Sequence, residues 1–170
     1  MAEQDSATNG GASEAPKSPE TEARLLIHRH YIKDFSFENP NAPTIYTSQQ
    51  TPTIKVQIDV NVSRLAERVF ETVLAIKVIA TVEDKSAFQV ELEFAGLSKV
   101  GDNVDQSEFE HILGVEVPHL LFPFARNIVA DVTRDGGYPP LLINPVDFAG
   151  LRQQRAAETS AAGEGATATA

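Results

Sequence analysis

Ile54-Lys55-Val56-Gln57-Ile58-Asp59-Val60-Asn61-Val62 is apolar at every even position and polar or charged at every odd one. Side chains of a strand point alternately to its two faces, so this run offers one face to a core and one to water. Phe88-Gln89-Val90-Glu91-Leu92-Glu93-Phe94 repeats the alternation with carboxylates on the polar side. Between them, residues 70–82 are apolar at nearly all even positions, Thr72 excepted, while the odd set mixes Val73, Ala75 and Ile79 with Glu71, Lys77 and Thr81. Three such strands predict an antiparallel sheet with one buried face.

Toward the N-terminus, residues 24–37 read as a first strand, with Leu25, Ile27, Tyr31, Phe35 and Phe37 sharing odd parity. Glu38-Asn39-Pro40-Asn41-Ala42-Pro43 follows, where the prolines fix φ and remove donors. Onward to Pro52, Ile45 and Tyr46 are the large apolar groups. Such a connection is too long for a hairpin. It predicts a crossover that separates strand one from strand two, in a Greek-key order. Residues 61–68 join the second and third strands, with a local helix or bend expected at 63–68. Glu83-Asp84-Lys85-Ser86 is a polar turn, Ala95-Gly96 ends the fourth strand, and residues 101–105 form a second break.

Helical periodicity begins at Ser107, which with Glu110 fits a capping box. Phe109, Ile112 and Leu113 make a short stripe before Gly114. Pro118 suits the first position of a longer helix carrying Leu120, Leu121, Phe124, Ala125, Ile128, Val129 and Val132, with Pro123 expected to bend it. Asp135-Gly136-Gly137 is a stop. A proline-rich loop then leads to residues 146–151, one last turn or short helix. Strands followed by helices give an α+β order.

Residues 1–23 are rich in Ser, Ala, Gly, Pro and Glu, and residues 152–170 drift into Ala, Thr, Gly and Glu. Neither stretch buries enough apolar surface to offset ordering entropy, so both are expected to be disordered tails. Residues 24–151 then form one domain. Of the net charge of −10, the N-terminal tail holds five carboxylates against one lysine, and the C-terminal tail balances, leaving −6 on the body. No basic cluster suits nucleic acid or an anionic membrane surface; an acidic body suits a basic protein partner. With no cysteine, disulfides, thiolate catalysis and Cys-ligated metal are excluded. Neither a leader-like apolar segment after Met1 nor an apolar run of membrane-spanning length is read, so a soluble intracellular protein is expected.

His28 and His30, two apart in a strand, are candidate ligands, but no third ligand is placed to complete a site. His111 and His119 have no nucleophile motif beside them. Asp34 and Glu38 are close in sequence, yet an acid–base pair needs a pocket that separates their pKa values. No G-x-S-x-G, Walker loop, G-x-G-x-x-G or H-E-x-x-H occurs. No enzyme and no cofactor are expected. The apolar groups on both faces of the third strand, with Phe109, Phe122, Phe124, Leu120 and Leu121, exceed what one sheet and two helices need to cover. Burial between identical subunits is the expected outcome.

Tyr31-Ile-Lys-Asp-Phe-Ser-Phe-Glu-Asn-Pro-Asn-Ala-Pro43, Pro118-His-Leu-Leu-Phe-Pro-Phe-Ala-Arg-Asn127 and Gly137-Tyr-Pro-Pro-Leu-Leu-Ile-Asn-Pro-Val-Asp-Phe148 together resemble the bacterial protein-export chaperone family SecB. The resemblance spans residues 25–151. It implies a cytoplasmic homotetramer, a dimer of dimers, each subunit a four-stranded antiparallel Greek-key sheet backed by helices on one face. It further implies a non-enzymatic chaperone that holds unfolded secretory precursor proteins and delivers them to the export ATPase SecA. The SecA-binding patch it implies maps to Asp34, Glu38, Gln89 and Glu91, with Gln89 standing where the family has a leucine. The client-binding groove maps to Ile45, Tyr46, Ile54, Val56, Ile58, Tyr138 and Leu141. The family's crossover tryptophan is replaced near Gln50, so aromatic anchoring is expected to rest on Tyr46. Two other readings remain: a SecB-like chaperone dedicated to a toxin–antitoxin partner, and a small acidic metal- or ligand-binding domain using His28 and His30.

Overall fold

A computed structural model describes residues 23–165, with side chains through residue 157. Four strands, β1 (Leu25–Glu38), β2 (Thr53–Ala66), β3 (Val69–Val82) and β4 (Lys85–Val100), form one antiparallel sheet in the order β1-β4-β3-β2. The long connection after β1, with a 3₁₀ turn at Thr44–Thr47, crosses to the far edge, so β1 lies beside β4. This is the expected Greek-key path. Hairpins join the other strands. The β2–β3 connection is a tight turn closed by Arg68 at φ 56°, and β2 runs on to Ala66 where a bend was expected.

The even rows of β3 and β4 build the core. Leu74, Ile76, Val78 and Ala80 from β3, with Phe88, Val90 and Leu92 from β4, are each at most 2% exposed. Helices cover this side. The chain is helical without a break from Gln106 to Asp135: a 3₁₀ turn, one α-helical turn α1 (Phe109–His111), a π-helical turn (Ile112–Glu116), and α2 (Val117–Asp135). Leu121, Ala125 and Val129 of α2 are buried in the core. Pro118 sits in the first turn of α2, and Gly136 and Gly137 close it, Gly137 at φ 87°.

Several expectations are corrected. The capping box at Ser107 and Glu110 does not form: the helical run starts one residue earlier, Asp105 is its N-terminal flank, and no side chain caps it. Gly114 does not end a helix. It lies in the π-helical turn, and a Cβ there would stand 3.3 Å from Arg152 Cδ, so the missing side chain lets the next helix approach. Gly96 does not end β4, which continues to Val100; the glycine gives room to Leu121, whose Cδ2 would lie 2.9 Å from a Cβ. The run Gln106–Asp135 is also long and apolar enough to cross a membrane by composition, contrary to expectation, though half of its apolar window is buried within the fold.

Phe148–Gly165 is a helix, α3, so the limit expected at Leu151 falls inside it. Alanine-rich sequence favours helix, and the first turns are tied down. Arg155 donates to the Val60 carbonyl at 2.9 Å and pairs with Asp59, while Arg152 pairs with Glu110. The expected N-terminal tail, apart from Ala23, and residues 166–170 of the C-terminal tail lie outside the described residues.

Candidate functional site

Two β-bulges in β1 decide which residues reach the open face of the sheet. They fall between Ile27 and Arg29 and between Ile32 and Asp34. Each extra residue reverses the alternation that follows. Odd parity therefore does not hold along β1. Phe35 and Phe37 pair with Leu92 and Val90 on the helix side, whereas Tyr31 pairs with Ala95 on the open side. His28 falls in the first bulge, and His30 stacks on Phe124 with centroids 4.5 Å apart. Among the described residues, no three of His, Cys, Asp or Glu gather to hold a metal ion.

The second bulge brings Asp34 into the odd row of β4. Asp34 stands opposite Glu93, and Glu38 opposite Gln89, while Glu91 is flanked by Ser36 and Lys77. Asp34, Glu38, Gln89 and Glu91 therefore share the open face along the β1–β4 seam. A shallow cavity of about 300 Å³ there is lined by Asp34, Asp59, Lys77, Glu91 and Glu93. Glu91 accepts from Lys77 Nζ at 2.5 Å and from Gln89 Nε2 at 2.9 Å. The hydrogen bond and charge of Lys77 hold its carboxyl below the usual glutamate range. So Gln89, where a leucine was implied, serves here as a donor that orients Glu91. Further along the same face, Glu71 accepts from Tyr31 at 2.5 Å and from Lys33 at 2.6 Å. Lys33 first, then Tyr31, lower its pKa, and the Tyr31 and Lys33 groups are raised in return.

The opposite side of the sheet carries the apolar candidates. The even row of β2 points toward the helices, but α2 sits over the core built by β3 and β4 and leaves the start of β2 open. Ile54 and Val56 are 41% and 39% exposed, and Ile58 is half-buried against the core. Ile45, Tyr46 and Tyr138 come together around a cavity of about 550 Å³ with Asn39, Gly136 and Gly137. Ile45 is itself a core residue, packed beneath the crossover. Tyr46 is 46% exposed, and its ring lies 5.4 Å from that of Tyr138. Burial and the neighbouring Tyr46 push the Tyr138 phenol above its ordinary value. Ile54, Val56, Ile58 and Leu141 do not line this cavity.

A second, more apolar cavity of about 440 Å³ was missed by sequence reasoning. Val60, Val62, Phe70, Phe109, Leu113 and Phe148 wall it, with Arg152 and Arg155 at its edge. Its third wall is α3, and the signal available was Phe148 and Leu151 at helical spacing just before the alanine-rich stretch. Since Ile54, Val56, Ile58, Val60 and Val62 share one face of β2, a single apolar stripe leads along the strand into this cavity.

A family model described as "Preprotein translocase subunit SecB" matches residues 18–159. The chain belongs to the SecB family. A protein-export protein SecB of Parvibaculum lavamentivorans is 48% identical over 153 residues, 89% of this chain and 90% of that one. The SecB of Rhodospirillum centenum is 40% identical over 161 residues, covering 94% and 96%. Among solved structures, a SecB-like chaperone of Mycobacterium tuberculosis, in complex with an antitoxin peptide, superposes with a TM-score of 0.61 at 18% identity. The match covers 72% of this chain and 91% of that one, and it shows the SecB fold.

Proposed function

We propose that this SecB chain is a protein-export chaperone that binds unfolded precursor segments, keeps them competent for translocation and delivers them to SecA. The observation that carries this is the exposed apolar row on the inner side of β2. An edge strand whose outer backbone is unpaired, flanked by Ile54, Val56 and the Tyr46–Tyr138 cavity, suits an extended apolar segment of no fixed sequence. Ile45, Tyr46, Ile54, Val56, Ile58, Tyr138 and Leu141 form the client groove in this reading, and the cavity under α3 extends it. Binding the unfolded form lowers its free concentration and delays folding by mass action. Several grooves on one particle add avidity without sequence specificity. No covalent step and no cofactor take part.

Delivery uses the other side of the sheet. Asp34, Glu38, Gln89 and Glu91 offer a carboxylate surface to a basic segment of SecA, where rim charges set on-rate and salt dependence. Assembly with further copies, a dimer of dimers in this reading, is supported by the uncovered edge at β1, and a cytoplasmic location accords with the SecB family. Ile32, Phe35, Leu120 and Phe124 are each 39–51% exposed, and a cavity of about 590 Å³ opens between β1 and α2. A row of that kind on an unpaired edge strand calls for a second copy.

The test is a refolding assay with an unfolded precursor beside a native mass measurement. Slowed refolding by a particle of four chains is expected. A monomer that leaves the refolding rate unchanged would end this reading.

A further inference from the structure

Asn39, at the exit of β1, joins the walls of the crossover cavity through one side chain. Its amide nitrogen donates to the Tyr46 hydroxyl oxygen at 2.5 Å and to the Gly136 carbonyl at 3.3 Å. Tyr46 in turn donates its hydroxyl proton to the same carbonyl at 2.7 Å. The Tyr138 hydroxyl lies 3.0 Å from both Asn39 Oδ1 and the Ala87 carbonyl, and shares its proton between them. Both N–H groups and the oxygen of the amide are thereby used. The crossover turn, the end of α2, the loop beyond it and the start of β4 all meet at this residue.

A plain loop anchor would explain these bonds if the crossover had no other fastening, but it has several. Ile45 is buried, its amide donates to the Asn41 carbonyl at 2.9 Å, and the Asn41 side chain donates to the Ser86 carbonyl at 2.8 Å. The turn is therefore held without Tyr46. What the Asn39 bonds add is the position of two rings, Tyr46 and Tyr138, of which Tyr46 is the exposed one. Tyr46 is gripped at its hydroxyl tip and rests against Gly137, where a Cβ would stand 3.2 Å from the ring, yet 46% of the residue remains open to solvent.

We propose that Asn39 is a positioning residue of the client groove, holding Tyr46 by its hydroxyl so that the open ring face is a pre-set wall for an extended apolar segment. This rests on the reading of that groove as a client site. A ring fixed before binding loses no rotamer freedom when the client arrives, so the polar latch strengthens an apolar contact.

The experiment uses the full chain and a fluorescently labelled, reduced and carboxymethylated α-lactalbumin as a permanently unfolded client. Tyr46→Phe keeps the ring and removes only the hydroxyl; Asn39→Ala removes the hub. Each is expected to weaken client binding about three- to tenfold, the scale of one lost hydrogen bond. The double variant should be no weaker than the weaker single variant, because both break one unit. With three tyrosines and no tryptophan in the chain, near-ultraviolet circular dichroism reports the rings directly, and Asn39→Ala should reduce that signal with the far-ultraviolet spectrum unchanged. Wild-type affinity in Tyr46→Phe, or additive losses in the double variant, would overturn the latch. A wild-type chain that fails to bind the client would instead overturn the chaperone reading of the groove, so the two failures are distinct.

Discussion

Thr72 is a residue whose cost is visible in the fold. It sits in the core-facing row of β3, fully buried, and among the described residues its Oγ1 has no hydrogen-bond partner. A buried hydroxyl without a partner keeps its desolvation penalty. Thr72→Val replaces it with a methyl group of the same shape and is expected to stabilise the chain by about 1 kcal/mol, read as a higher denaturant midpoint at constant slope. Glu71, its neighbour, faces the other way and behaves oppositely. Lys33 and Tyr31 hold its folded-state pKa below the ordinary glutamate value of 4.5. The associated stability is present above that value and is lost as pH falls through the lower folded-state one. Glu71→Gln should therefore flatten the acid limb of the stability curve below about pH 4.5 while leaving its shape near neutrality alone, which a urea series at several pH values would reveal.

Among the elements, α3 is the one whose role changes most. Its apolar start, Phe148, is buried among core residues, while Arg152 and Arg155 fasten it to α1 and to the outer edge of β2. A helix held at its margin by exposed ion pairs opens more readily than one held by core packing. Arg155→Ala loses the bond to the Val60 carbonyl and the pair with Asp59. It is expected to cost about 1 kcal/mol in local opening, seen as faster hydrogen exchange in α3 with the exchange of β3 and β4 unchanged. Equal exchange in α3 would mean that the packing of Phe148 and the Arg152–Glu110 pair hold it without Arg155. β1 shows the same point for strands: the first extra residue turns Tyr31 outward and His30 and Ile32 toward α2, and the second turns Phe35 and Phe37 back to the helix side.

For the whole molecule, the two faces of the sheet are chemically separate. The open face gathers Asp34, Glu38, Glu91 and Glu93; the helix side leaves Ile54, Val56 and Tyr46 uncovered. Separate surfaces allow a client and a docking partner to be held together. If the carboxylate face binds SecA, added salt should weaken that complex steeply while client binding changes little, because screening acts on exposed charge and not on apolar burial. Glu91→Lys should reduce SecA affinity in titrations at moderate salt and leave client affinity at the wild-type level. Unchanged SecA affinity would remove Glu91 from the docking face.

Most of the architecture was legible because it depends on local pattern. Period-two alternation from Ile54 to Phe94 dictates strands with one buried face, and the length and prolines of residues 38–52 dictate a crossover. The glycines after Asp135 dictate a helix end, and three collinear motifs carry the family. What required the tertiary structure depends on contacts between distant residues. The bulges in β1 are choices of register against β4, so parity alone misplaced Tyr31. The helix beyond Leu151 is stabilised by β2 and α1, which composition does not reveal. Ile54 and Val56 read as core in the alternation, and they are exposed only because α2 stops short of the sheet edge. The run that decides the fold thus also supplies the surface proposed to hold other chains, and packing, not pattern, sets where one use ends and the other begins.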